Sequence, residues 1–218
     1  MSQTGAGTGV MGTPEEIAYE ARAAEGSIWT GGRLLVGVFA FAFAALGFAY
    51  FYLRSANSEG LWRPHGMTAP TGTGTAIMAL ALVSAVLVSY GLQRLRRGAV
   101  LDWEVAGWAV VGAGMLAFAL QIWELTDLPF FPGQSGYASC FVAWAAMNLV
   151  LLLAGVYWVE TLLARHIRLR LARTEEGADP SAQLTPRIFR VNLEACAFFW
   201  GFIAFISLFF WVFLYIAA

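Results

Sequence analysis

The sequence predicts an all-α, polytopic membrane protein, folded as a bundle of five transmembrane helices. Two observations carry that expectation. Five apolar runs, at 34–53, 75–92, 105–123, 138–159 and 195–218, fill most of the 218 residues. Each is long enough to cross a hydrocarbon core of about 30 Å as a helix rising about 1.5 Å per residue. The runs are also apolar on every face, and no His, Lys, Arg, Asp or Glu falls inside them. With 59% hydrophobic and 12% charged residues, an aqueous domain of this size has too little polar surface to hide five such helices.

Ahead of the runs, residues 1–32 read as an N-terminal tail on the cytoplasmic side, and 33–218 as the five-helix domain. Within the tail, Thr13-Pro14-Glu15-Glu16 is a helix start. Thr13 is placed to cap, Pro14 suits the first helical position and Glu16 closes a capping box. A short solvated helix over 14–24 is expected, with an acidic face of Glu15, Glu16 and Glu20. No basic segment followed by a short apolar core precedes the first run, which is therefore expected to act as its own uncleaved insertion signal. The stretch Thr71-Gly72-Thr73-Gly74 lacks the Lys-Ser/Thr ending of a phosphate loop and is expected to be a turn leading into the second span.

The segment 160–193 is expected to begin as a helical extension of the fourth span, carrying Arg165, Arg168 and Arg170. It should break at Gly177-Ala178-Asp179-Pro180 and resume with Thr185-Pro186 capping the fifth span. Five spans place the tail and the connections 2–3 and 4–5 on one side, with eleven arginines, against Arg54 and Arg63 on the other. The positive-inside rule then puts the N-terminus in the cytoplasm and the C-terminus outside. The setting expected is the plasma membrane of a prokaryote. Trp29, Trp62, Trp103 and Trp123 fall at span edges, where indoles form aromatic belts. A net charge of −1 offers no basic face to a nucleic acid.

Little in the spans can do chemistry. His65 and His166 should lie on opposite membrane faces, so they cannot share a haem or metal, and each is expected to be solvated. Cys140 and Cys196 begin successive antiparallel spans, too far apart for the roughly 7 Å Cα separation of a disulfide. Glu124, Glu160 and Glu194 lie near span ends and are expected at headgroup level, although a carboxylate at such a depth is a functional suspect. Asn148, deep in the fourth span, is expected to hydrogen-bond across helices, and Gly112, Gly114 and Gly155 to permit close helix approach. The absence of midplane charge argues against a proton-driven transporter.

The order of these features resembles subunit III of the haem–copper oxidases, in a divergent five-span form lacking the first two helices of that family. The resemblance runs from about Ala40 to Tyr215. Gly47-Phe48-Ala49-Tyr50-Phe51-Tyr52 is similar to the aromatic end of the first shared helix, and Trp62-Arg63-Pro64 to the loop after it. A short basic loop with Arg97-Gly98 follows the second span. Gln121-Ile122-Trp123-Glu124 resembles the Q-x-x-E-aromatic motif, and Gly136-Tyr137-Ala138-Ser139-Cys140-Phe141 the Y-x-S-x-F start of the next helix. Glu194 through Phe199-Trp200-Gly201-Phe202 to Tyr215 follows the terminal helix. The chain departs from the family where Ala40 replaces a buried Glu, Asn148 and Leu151 replace a His pair, and Gly201 and Ala204 replace a His and an Asp.

The resemblance implies a non-catalytic accessory subunit that binds no cofactor itself. Haem and copper are expected in the partner, catalytic subunit I, with other oxidase subunits and phospholipids as further partners. It also makes Arg33, Arg94, Arg96 and Arg97 candidates for phospholipid phosphate contacts. Gln121, Glu124, Tyr137, Ser139, Asn148, Glu194 and Trp200 are the structural polar candidates. An accessory subunit of a nitric oxide reductase is the near alternative. A small free-standing transporter and a dehydrogenase membrane anchor are the more distant ones.

Overall fold

The computed structural model describes residues 14–56, 62–64, 67–175 and 184–217, and all regular structure among them is helical. The helices are α1 (Pro14–Ser55), α2 (Thr71–Arg96), α3 (Val100–Thr126), α4 (Gly136–Glu175) and α5 (Leu184–Trp211), the last continuing through a π turn at Val212–Ile216. All five are long and apolar enough to cross a membrane, as expected of an integral, multi-pass protein. Hydrocarbon supplies no hydrogen-bond partner, so a crossing segment must satisfy its backbone internally. That demand keeps valine- and glycine-rich stretches helical despite their modest propensities.

The short helix expected over 14–24 and the first span are a single helix, α1. At 42 residues it is about 63 Å long, roughly twice the hydrocarbon thickness. Its first turn carries Glu15 and Glu16, which suit the positive end of the helix dipole. The expected turn at 71–74 is instead the first turn of α2. The helix starts directly after Pro70, and the Gly74 amide already donates to the Pro70 carbonyl at 3.1 Å. At its other end α2 closes with paired bonds, Gly98 N to Leu95 O and Ala99 N to Arg94 O, both 3.0 Å. Gly98 adopts φ +82°, the left-handed conformation that this cap requires and that glycine takes without strain. Only three residues therefore separate α2 from α3. The fourth span does extend as a helix beyond the apolar run, while the break expected at 177–180 lies outside the described residues. α5 begins at Leu184, so Thr185-Pro186 falls inside its first turn rather than before it.

α4 and α5 are the inner helices: α5 packs against α1, α2 and α4, and α4 against α1, α3 and α5, while α3 packs between α2 and α4. α1 lies on the flank against α4 and α5. One end of the bundle holds the α2–α3 connection and most of the arginines. The other holds the α3–α4 connection, the π turn and a cluster of aromatic rings.

Glycines decide where the large rings go. The Trp200 indole fills a notch between α3 and α4, where a Cβ on Gly114 or Gly155 would come within 3.2 Å and 3.0 Å of it. Its Nε1 donates to the Gly155 carbonyl at 3.3 Å. Gly112, by contrast, faces open space. Trp103 and Trp62, expected in an interfacial belt, are core residues instead. A notch at Gly91 admits Trp103, and one at Gly136 admits Trp62. Trp123 is exposed and Trp29 half-buried, which suits a belt. Cys140 and Cys196 are buried, free thiols.

Candidate functional site

The most specific chemistry in the bundle is a chain of polar side chains buried between α3, α4 and α5. Glu124 and Gln121 sit three residues apart on α3 and so share one helix face. Gln121 Nε2 donates to Glu124 Oε2 at 2.7 Å. Asn148 Nδ2 of α4 donates to Gln121 Oε1 at 2.9 Å, and Ser207 Oγ of α5 donates to Asn148 Oδ1 at 3.1 Å. From the far side, Tyr215 OH donates to Glu124 Oε1 at 2.7 Å. Glu124, Gln121, Asn148 and Ser207 are all at most 1% exposed, so these bonds replace water altogether. Away from water an unpaired amide or carboxyl would be costly, and the chain leaves each of these side chains with a partner.

The π turn positions Tyr215. A helix end leaves carbonyls without intrahelical donors, and a bilayer cannot supply them. Here two buried phenols do so: Tyr50 OH donates to Phe213 O, and Tyr137 OH to Leu214 O, each at 2.9 Å. Arg54 Nη1 in turn donates to the Tyr50 oxygen at 2.8 Å. Trp211 Nε1 reaches Thr75 Oγ1 at 3.0 Å. The Tyr215 ring lies against α2 at Gly74, where a Cβ would come within 2.2 Å of it. Rings of Tyr50, Trp62, Tyr137, Phe141, Trp144 and Tyr215 follow one another at centroid separations of 5.1 to 6.1 Å, edge to face except for the tilted Tyr137–Phe141 pair. Ser139 secures the α3–α4 connection, accepting from Gly133 N and donating to Ser135 O, each at 3.0 Å.

The opposite end is held by ion pairs. Arg94 pairs with Asp102 across the α2–α3 connection, Arg96 with Glu194 of α5 at 2.6 Å, and Arg187 of α5 with Glu25 of α1. Arg170 of α4 meets both oxygens of Glu104 on α3, at 2.8 and 2.9 Å. His166, expected in solvent, is instead half-buried. Its Nε2 lies 3.5 Å from Glu104 Oε1 and its ring 5.3 Å from that of Phe189. Of the phosphate candidates, Arg94 and Arg96 are thus engaged with carboxylates of the protein itself. Arg33 is exposed with its guanidinium 5.3 Å from the Trp29 ring, and Arg97 is exposed.

The three suspect carboxylates separate clearly. Glu160 is exposed on α4 and Glu194 is half-buried in its ion pair, whereas Glu124 is fully buried. Glu124 lies near the end of α3 as expected, but it faces the interior of the bundle, with Gln121 and Tyr215 on its oxygens. Gln121, Glu124 and Asn148 are brought together; Tyr137, Ser139 and Trp200 serve neighbouring contacts. Two members of the chain lie outside the sequence-derived candidates: Tyr215 and Ser207. The signal for Ser207 was available: it is the lone hydroxyl in an apolar stretch of α5, eight residues before Tyr215.

Between α1 and α5 an open apolar groove of ≈ 520 Å³ runs along Ala40, Ala44 and Gly47 on one wall and Phe202, Phe205 and Phe209 on the other. Among the described residues, no three His, Cys, Asp or Glu side chains gather as a metal site. No protein-family model matches the chain, and no curated protein matches it.

Proposed function

We propose that the chain is a non-catalytic accessory subunit of a membrane respiratory haem–copper terminal oxidase, stabilising the catalytic subunit and binding lipid in aerobic electron transport. The observation that carries this reading is the joint order of its subunit III-like segments: Gln121–Glu124 closing the third span, Tyr137–Phe141 opening the fourth, and Glu194 to Tyr215 in the fifth. In support, Gln121, Glu124 and Tyr215, drawn from two of those segments, meet in one hydrogen-bonded chain with Asn148, which replaces a family histidine. The N-terminus faces the cytoplasm and the end of α5 the exterior, on the strength of the arginine asymmetry. Arg33 and Arg97 are the better placed of the phosphate candidates. Large apolar side chains exposed along α1 and α3, among them Phe41, Phe48, Trp108 and Leu116, are available to lipid or to the catalytic subunit.

The test is purification in mild detergent through a tag on this chain, followed by mass spectrometry and a reduced-minus-oxidised spectrum. A haem–copper catalytic subunit should co-purify, and its haem spectrum separates an oxidase from a nitric oxide reductase. Stoichiometric haem or copper bound to the single chain would overturn the reading. A reporter fused after α5 that is active only in the cytoplasm would overturn the orientation.

A further inference from the structure

The bonds in the buried chain all point one way. Ser207 donates to Asn148, Asn148 to Gln121 and Gln121 to Glu124, while Tyr215 donates to the same carboxyl from the other side. An ionised carboxylate only accepts, so this direction is the one that suits an ionised Glu124. A primary amide has nearly the same outline at its oxygen and its nitrogen. Turning it by 180° exchanges acceptor for donor and leaves the surrounding heavy atoms in place.

Two such amides stand in series here, so the same space holds the opposite pattern equally well. With a proton on Glu124 Oε2, that O–H donates to Gln121 Oε1. Gln121 Nε2 then donates to Asn148 Oδ1, and Asn148 Nδ2 to Ser207 Oγ. The Ser207 hydroxyl turns its proton to a carbonyl of the preceding turn of α5, a bond serine makes readily within helices. Tyr215 goes on donating to Oε1. Both patterns keep the same bonds among these five side chains, so the proton on Glu124 decides between them.

We propose that Glu124, Gln121, Asn148 and Ser207 form a proton-responsive switch, in which gain or loss of a proton at Glu124 reverses the direction of hydrogen bonding from α3 through α4 to α5. The proton that titrates Glu124 stops there. What travels inward is an orientation, since each amide keeps its own hydrogens. Asn148 lies twelve residues into α4, so the reversal reaches about 18 Å from the start of that helix. Among the described residues, the titratable groups facing Glu124 are Tyr215 from the last turns of α5 and Tyr137 from α4. Arg63 lies over the Tyr137 ring at 5.6 Å, α1 contributes the bonded pair Tyr50 and Arg54, and α2 presents Gly74 to the Tyr215 ring. The switch is independent of which complex the chain joins.

The test uses the full chain, labelled with isotopic asparagine and reconstituted in liposomes. Infrared spectra follow the carboxyl C=O stretch through a pH titration, and solid-state NMR follows the Asn148 side-chain amide, identified by its loss in Asn148→Leu. The expected result is a carboxyl band that grows on acidification and is missing from Glu124→Gln. The Asn148 amide resonance should shift with the same midpoint. In Gln121→Leu the band should remain and the Asn148 shift disappear. An Asn148 resonance that stays fixed while the carboxyl titrates would overturn the switch, as would a carboxyl band insensitive to pH. If Gln121→Leu does not fold, the wild-type titration alone decides.

Discussion

The two ends of this bundle solve the same problem by opposite means. At the arginine-rich end, helices are joined by ion pairs whose partners remain partly in water: Arg96 is 51% exposed and Arg170 50% exposed. At the aromatic end they are joined by buried hydrogen bonds, from Tyr50 and Tyr137 to carbonyls of the π turn and among Tyr215, Glu124, Gln121 and Asn148, with interlocked rings around them. The first kind of contact is weak, adjustable and screened by salt. The second is unscreened and cannot be opened without stranding polar groups in an apolar medium. The difference locates the rigid part of the molecule at the end where α5 terminates, and the compliant part where the arginines are.

Removing a keystone of the aromatic end should have the largest effect. Tyr137→Ala deletes a ring packed against Trp62, Phe130 and Phe141 and leaves the Leu214 carbonyl without its donor. A loss of about 3–5 kcal/mol is expected, read from unfolding in detergent or bicelles. Next, Gly74→Val should displace the Tyr215 ring at a cost of about 1–3 kcal/mol. Tyr215→Ala in the same chain should recover part of that loss, and strict additivity of the two would show that they do not touch. Asn148→Leu should cost about 1–2 kcal/mol by stranding Gln121 and Ser207. Smallest of all, Arg96→Gln should change stability by less than about 1 kcal/mol, and by less still at high salt. If the arginine variant proved as damaging as the tyrosine variant, the contrast between the ends would be lost.

The architecture was legible because hydrocarbon imposes a length rule on helices, and five runs meet it without ambiguity. Gln121, Glu124 and Asn148 were also legible: the first two share a helix face by spacing, and an amide deep in an apolar run needs a partner on another helix. Harder to read were features set by residues distant in sequence. Trp103 and Trp123 look alike in the sequence, yet only Trp103 has a glycine, Gly91, on the neighbouring helix to admit it. Arg96 finds its carboxylate 98 residues away, so a lipid phosphate looked as suitable a partner as Glu194. The burial of Glu124 depends on Tyr215, whose reach in turn depends on a π turn that no periodicity announces.

That last dependence has a consequence for how the protein is made. Glu124 and Tyr215 are 91 residues apart, and α5 is the last of the five helices to leave the ribosome. At roughly 5–20 residues per second, α3 waits on the order of 5–20 s in the membrane before Ser207 and Tyr215 exist. During that interval its carboxyl has only Gln121 and whatever the insertion machinery or a stray water provides. α5 is therefore the closing piece of assembly, and a chain stalled before it leaves that polar seam open.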